Sequence, residues 1–229
     1  MFKTRYFGGI ACLLLALLAA GGSLSMSTAN AAARPVVDRL DWELKFVPGP
    51  FRLFTDARDG RLYWYFTYTV TNLTDRDLVF APQIELFFDS GEIIKSGRGV
   101  PTRVVNSLRE LLGDPLLEDQ NRIIGDLRVG PENARSGLAV WPAEDQEVNE
   151  ITLFFRGLSS DRRTVAHPSA SDKTVDLYRT LRREYLVPGD AVARGSTAIP
   201  LAKGKNRRGA ECEFEFQIAG KPAGCWIYR

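Results

Sequence analysis

Four acidic residues close together in the chain are the best candidates for acid–base chemistry. They are Asp114, Glu118, Asp119 and Asp126. Paired carboxylates hydrolyse glycosides when their separation in space is suitable, and carboxylate oxygens also bind calcium. However, the spacing matches no calcium-binding loop, and Asp114 and Glu118 suit the start of a helix, where negative charge is favourable. A carboxylate-dependent hydrolase is therefore kept as an alternative function, and no residue is predicted to be catalytic.

Histidine and cysteine offer little further chemistry. The only histidine, His167, lies beside a proline and has no nucleophile or acid partner at a recognisable spacing. Of three cysteines, Cys12 falls in an N-terminal leader, which leaves Cys212 and Cys225. An even number of cysteines in an oxidising compartment predicts a Cys212–Cys225 disulfide, with two unpaired thiols as the alternative. No metal site and no cofactor are predicted.

An aromatic segment supplies the best candidate for ligand binding. From Leu62 to Val70, apolar residues alternate with Tyr63, Tyr65 and two threonines. Successive side chains of a strand point to opposite faces, so the two tyrosines share the face expected to meet water, about 6.6–6.8 Å apart. This spacing suits the stacking of two sugar rings or contact with another protein. The alternative is that another element covers them, because cross-strand aromatic pairs commonly stabilise sheets.

Alternation of apolar and polar residues recurs in five segments and determines the predicted fold class. The apolar positions are Leu40, Trp42, Leu44 and Phe46; Leu62, Trp64, Phe66, Tyr68 and Val70; Ile84, Leu86 and Phe88; Ile151, Leu153 and Phe155; and Cys212, Phe214, Phe216 and Ile218. Such strands have one apolar and one polar face, which is typical of antiparallel sheets packed on one side. Asp59-Gly60 is a hairpin signal between two of them. The pattern predicts a mainly β protein, an antiparallel β-sandwich.

Between residues 101 and 125 the period changes from two to 3.6. Two stripes have helical spacing: Val104, Val105, Leu108, Leu111 and Leu112, and then Leu116, Leu117, Gln120, Ile123 and Ile124. Thr102 and Gly113 suit the ends of the first helix, and Asp114, Pro115 and Gly125 suit those of the second. The spacing predicts a helical hairpin inserted into the β domain.

Residues 1–33 have the pattern of a secretory signal peptide. A basic start precedes the apolar run Ile10–Ala20, and cleavage sites follow at Ala31 and Ala33. The run is shorter than the roughly 20 residues that span a bilayer, and an uncleaved anchor is the alternative. The prediction is an exported protein, periplasmic, cell-envelope or extracellular. Residues 34–229 are predicted to form a single domain with a helical insert and a C-terminal extension.

The charge balance disfavours nucleic-acid binding. The chain has 30 basic and 28 acidic residues. Because Lys3 and Arg5 belong to the leader, the mature chain is formally neutral, and no global field attracts nucleic acid or an anionic membrane. No membrane span is predicted after leader cleavage. The basic run 203–208 is most simply a solvated loop, with contact to anionic envelope polymers as the alternative.

Two sets of motifs resemble known groups of proteins. The first set is Val70–Asp75, Asp89–Gly91, Gly125–Leu127 with Gly130, Gly137–Pro142 and Leu153–Phe155. Their order, over about residues 62–155, resembles exported bacterial immunoglobulin-like domains. The second set is Tyr63–Tyr68, Leu117–Asn121 and Tyr185–Asp190. These residues resemble a conserved, uncharacterised family of exported planctomycete proteins, which implies fold and location but no activity.

The sequence thus predicts an exported, non-enzymatic binding or structural module of the bacterial cell envelope. Its expected partner is an envelope protein or a polysaccharide. The alternatives are a carboxylate-dependent hydrolase and a carbohydrate-binding module that uses Tyr63 and Tyr65, each on the same β-sandwich scaffold.

Overall fold

The computed structural model describes residues 36–37, 41–144, 148–187, 189–193, 195–202 and 214–229. The predicted signal peptide, Cys212 and the basic run 203–208 lie outside these residues. The strands are β1 (Val36–Val37), β2 (Lys45–Thr55), β3 (Leu62–Thr71), β4 (Leu78–Phe80), β5 (Gln83–Phe88), β6 (Ile93–Lys95), β7 (Glu118–Asp119), β8 (Gly125–Leu127), β9 (Arg135–Pro142), β10 (Glu150–Arg156), β11 (Arg162–His167), β12 (Ala170–Leu186), β13 (Phe214–Ile218) and β14 (Lys221–Tyr228). The α-helix, α1, spans Thr102–Leu112 between β6 and β7, and a short 3-10 helix spans Pro131–Asn133.

The strands form two main sheets. The smaller sheet has the order β2-β3-β9-β7, and only its β7–β9 pair is parallel. The larger sheet has the order β1-β11-β12-β10-β5-β6, with β14 beside β12 and β13 beside β14. Strands β4 and β8 make a separate antiparallel ribbon. The prediction of a mainly β protein with antiparallel sheets is confirmed.

The two sheets share one hydrophobic core in a sandwich-like arrangement. Aromatic rings from opposite sheets meet there: the Phe155 ring lies edge-on to Phe46 and Tyr68, each with centroids 4.8 Å apart, and Phe51 lies 4.7 Å from Tyr185. The even-numbered residues of β3 point into this core, as the alternation predicts. Fully burying a large apolar side chain contributes about 1.5–3 kcal/mol, so the aromatic strands supply much of the stabilisation.

A short segment, residues 199–202, ties the two sheets together on one side. The Ile199 N–H donates to the Phe51 carbonyl on β2 at 2.8 Å. The Pro200 carbonyl accepts from the Leu186 N–H on β12 at 3.1 Å. Because these bonds satisfy backbone groups on both sheets, they hold the edge of the core closed.

The first predicted helix is confirmed as α1. Its N-cap is Pro101, in an extended conformation, instead of Thr102, which is the first helical residue. It ends at Gly113, which has a φ of +62° and donates its N–H to the Glu110 carbonyl. A left-handed conformation favours glycine, which explains why the helix ends at this residue.

The second predicted helix is wrong. The Asp114 carboxylate accepts the Leu116 N–H at 2.9 Å, and the Asp119 carboxylate accepts the N–H groups of Asn121 and Arg122 at 3.0 Å. These side chains make turns that compete with helical backbone bonds. Between the turns lies β7, which pairs in parallel with β9. The predicted helical hairpin is therefore a single helix followed by turns and a short strand.

The cysteine pairing stays a prediction because Cys212 lies outside the described residues. Cys225 lies on β14 opposite Glu215 of β13, and the turn of this hairpin is Ala219-Gly220. Over its described residues, the last alternating segment forms strand β13, which pairs antiparallel with β14.

The chain from Pro35 to Arg229 groups into one compact unit. Its helix α1 has 11 residues, and no helix in the described part of the chain is long and apolar enough to cross a membrane.

Removing a buried side chain from α1 tests how strongly the helix binds its sheet. Leu108 is fully buried, whereas Leu111 on the same helix is 60% exposed. We expect Leu108→Ala to lower the free energy of unfolding by about 2–5 kcal/mol, because it leaves a cavity. Leu111→Ala, the matched control, should change it by less than about 0.5 kcal/mol. Denaturant unfolding measures both, and equal effects would contradict the packing of α1 described above.

Candidate functional site

The two tyrosines predicted to bind a ligand are covered. Tyr63 and Tyr65 are only 2% and 1% exposed. Helix α1 packs its apolar stripe onto their face of the smaller sheet and forms a second core. That core comprises Tyr63, Tyr65, Val104, Val105, Leu108, Leu117, Leu138 and Val140. The prediction of an exposed stacking platform at Tyr63 and Tyr65 is therefore wrong, and the alternative that another element covers them is confirmed.

The remainder of the same sheet face stays open as a pocket of about 280 Å³. Its floor carries Thr67 and Thr69 of β3 and Ser136 of β9. One wall comes from the end of α1 and the turn after it, including Leu112 and Asp114. The pocket exists because α1 stops at Gly113, before it reaches the last residues of β3.

The opposite wall comes from Pro48-Gly49, where β2 is irregular. The β2–β3 register shifts between Pro48 and Phe51, so the strand bulges there. Gly49 lies against Thr67: a Cβ at this position would be 2.2 Å from the Thr67 Oγ1 and 2.8 Å from its carbonyl oxygen. Only glycine permits this approach, so the backbone of the bulge packs directly against Thr67.

The polar groups of the pocket form few hydrogen bonds within the protein. Within the described part of the chain, the Thr67 hydroxyl has no hydrogen-bond partner. The Thr69 and Ser136 hydroxyl oxygens are 3.5 Å apart, at the outer limit of a hydrogen bond. The Asp114 carboxylate accepts the Leu116 N–H through Oδ1 and makes no ion pair with any described cation. These groups are therefore available to form hydrogen bonds with a ligand.

The other acidic candidates have different environments. Arg135 binds both carboxylate oxygens of Glu118, one through Nε at 3.0 Å and the other through Nη2. Asp119 pairs with Arg109 at 3.2 Å. Asp126 lies exposed on β8. Bidentate arginine–carboxylate pairs are geometrically specific, so Glu118 and Arg135 fix β7 against β9. The structure thus does not bring the four carboxylates into one site.

Near the Glu118–Arg135 pair, Tyr68 has a perturbed acidity. Burial raises the pKa of its phenol far above the usual value, the negative charge of Glu118 raises it further, and Arg135 opposes this effect. Burial similarly raises the pKa of Tyr185, against the influence of Arg183. Both phenols therefore stay neutral in the folded protein at physiological pH.

His167 has a local structural role. It ends β11, and its Nδ1 accepts the Ser169 N–H at 3.1 Å in the turn to β12. Among the residues that the structure describes, no three histidine, cysteine or acidic side chains are grouped so as to hold a metal ion.

Sequence reasoning identified part of this pocket. It placed Thr67 and Thr69 on the polar face and considered Asp114 as a carboxylate candidate, but it missed Ser136 and the wall at Pro48-Gly49. The signal for that wall was Pro48-Gly49-Pro50, which follows the first alternating segment. A strand pattern broken by two prolines and a glycine is typical of a bulge as well as of a strand end.

Comparison of the chain with protein-family models, with curated proteins and with solved structures gave no match. The function therefore has to be argued from the site itself.

The two buried phenols predict a loss of stability in alkali. Tyrosines ionise at about pH 10 in the unfolded chain, whereas burial raises the pKa of Tyr68 and Tyr185, so both lose their protons at higher pH in the folded chain. The unfolded state then binds fewer protons, so each of these residues lowers the free energy of unfolding by up to about 1.4 kcal/mol per pH unit. Denaturant unfolding at a series of pH values measures the slope. We expect a shallower slope in Tyr68→Phe, and an unchanged slope would contradict this assignment.

Proposed function

We propose that this protein is an exported, non-enzymatic binding module of the bacterial cell envelope, built on an immunoglobulin-like β-sandwich. The signal-peptide pattern of residues 1–33 supports export. The two antiparallel sheets around a shared core are compatible with an immunoglobulin-like arrangement. The partner is an envelope polysaccharide, and its site is the pocket beside the end of α1.

The main support for this proposal is the set of polar groups in that pocket that have few hydrogen-bond partners within the protein. A sugar presents several hydroxyl groups, each of which donates and accepts hydrogen bonds. The Asp114 carboxylate accepts such bonds, and the hydroxyls of Thr67, Thr69 and Ser136 both donate and accept. A neutral, hydroxyl-rich ligand therefore matches the pocket better than an anion, which Asp114 would repel.

Apolar side chains complete the site. Val47, Pro48, Leu112 and Leu117 line the same pocket. Sugar rings carry C–H groups between their hydroxyls, and these groups lose unfavourable contact with water when they pack on apolar side chains. Small-molecule sites commonly combine apolar walls with a few placed polar groups, and a pocket of about 280 Å³ is near the lower end of their size range.

The hydrolase alternative receives less support from this pocket. Glycoside hydrolysis uses two carboxyl groups about 5–10 Å apart across the scissile bond. Among the described residues that line the pocket, Asp114 contributes the one carboxylate. Glu118 and Asp119 are engaged by Arg135 and Arg109. Binding without turnover is thus the function that we propose.

A glycan array followed by calorimetry tests the binding proposal. We expect neutral oligosaccharides to bind, and Asp114→Asn to weaken the best of them at least tenfold, because a charged acceptor is lost, at a cost of about 1.5–3 kcal/mol. Asparagine keeps an oxygen for the Leu116 N–H. Asp126→Asn is the matched control, since Asp126 is exposed on another strand, and it should bind like the wild type. Absence of neutral-glycan binding, or equal losses in both variants, would refute the proposal.

The mass of the mature protein tests export and the cysteine pairing together. We expect a chain that starts after Ala31 or Ala33. We also expect a mass increase of two hydrogens on reduction, because Cys212 and Cys225 then convert from a disulfide to thiols. An uncleaved N-terminus would argue for an anchor, and free thiols before reduction would exclude the bridge.

A further inference from the structure

The outer face of the larger sheet carries a second set of functional groups. The pairing of β10 with β5 and β12 places Gln83, Arg156 and Thr180 in one row across three strands. The next row of outward-facing side chains, two residues along β10, contains Glu85 and Phe154. These side chains point away from the core, since the intervening residues of β10 are buried.

Two depressions meet on this face. The larger one, of about 480 Å³, is lined by residues that include Trp42, Tyr178, Gln83 and Arg156. The smaller one, of about 210 Å³, has Gln83 and Arg156 in its lining as well and extends toward Phe154. Gln83 and Arg156 therefore lie where the two depressions adjoin, and the two depressions together are called the groove below.

Arg156 is held in place but its charge is not neutralised. Its guanidinium carbon lies 3.4 Å from the centroid of the Tyr178 ring, and its Nη1 is 3.4 Å from the Gln83 Oε1. No carboxylate in the described part of the chain pairs with it. Stacking on an aromatic ring orients a guanidinium and leaves its N–H groups available to donate hydrogen bonds to a planar anion.

The acidic residues beside the groove are already paired. Asp41 binds Arg76, and Glu85 binds Arg229 at 2.8 Å. Each of these ion pairs removes one negative charge that would otherwise repel an anionic ligand. The arrangement of charges therefore favours a carboxylate next to Arg156.

We propose that this groove binds an acidic polysaccharide whose uronic-acid carboxylates pair with Arg156. The rival occupant is an acidic peptide. Peptides that lie on sheets commonly add as a strand to an open edge, but β10 is hydrogen-bonded to β5 on one side and to β12 on the other. The groove thus offers side chains instead of free backbone, and the aromatic side chains of Trp42 and Tyr178 beside it suit a chain of sugar rings.

This site is separate from the pocket beside α1. The pocket lies on the smaller sheet and carries an acceptor, Asp114, whereas the groove lies on the larger sheet and carries a cation, Arg156. The two ligand classes differ in charge. Failure of one proposal therefore leaves the other intact.

Binding of polygalacturonate, measured by calorimetry at several salt concentrations, tests the groove. We expect the wild-type protein to bind this polymer, with affinity that falls as salt rises, and to bind its fully methyl-esterified form at least tenfold more weakly. The esterified form keeps the sugar chain and removes the carboxylate charge. Equal affinity for both polymers, or a preference for polyglutamate, would overturn the proposal.

Two arginine variants locate the contact. We expect Arg156→Gln to weaken polygalacturonate binding at least tenfold. Arg58→Gln is the charge-matched control, because Arg58 lies exposed in the β2–β3 turn, and it should bind like the wild type. Thermal unfolding of each variant checks that it folds. Unchanged binding by a folded Arg156→Gln protein, or an equal loss in both variants, would overturn the assignment. If the variant does not fold, the comparison of the two polymers on the wild-type protein still tests the proposal.

Discussion

The burial of the first half of β3 on both of its faces, over Tyr63–Phe66, is the constraint on which the rest of this structure depends. Its even-numbered residues pack into the core shared by the two sheets, while Tyr63 and Tyr65 pack under α1. A strand covered on both sides contributes side chains to two hydrophobic layers, one on each face. A shift of register by one residue would move every side chain of the strand into the opposite layer. The different shapes of the two layers hold the register of β2, β3 and β9.

The length of α1 then determines where a site can form. The helix ends at Gly113, and the chain turns at Asp114 instead of continuing along the sheet. Thr67 and Thr69 of β3 therefore stay half-buried and open to the pocket, and the bulge at Pro48-Gly49 closes the other side. One wall is the end of α1 with the turn after it, and the other is a strand bulge, so both walls are anchored by elements that the core holds.

The arginines fall into two groups with different consequences. Arg135 on β9 pairs with Glu118, and Arg109 on α1 pairs with Asp119, so the segment after α1 is held to both the smaller sheet and the helix. Arg156 instead stacks on Tyr178 and has no carboxylate partner among the described residues. Paired charges of this kind stabilise a local conformation, whereas an oriented charge without a partner favours binding of an anion from solution. Net charge alone, close to zero, conceals this difference.

The sequence by itself determined the β class, the position of α1 and the hairpins, because these follow from local periodicity and turn residues. It could not determine which face of β3 meets water: alternation defines two faces, but the elements that cover them come from elsewhere in the chain. It also failed at residues 114–124, where a helical period is overridden by side-chain turns at Asp114 and Asp119 and by arginines distant in sequence. The tertiary structure alone brought Ser136, Asp114 and Gly49 together around Thr67, since their proximity depends on how three strands and a helix pack.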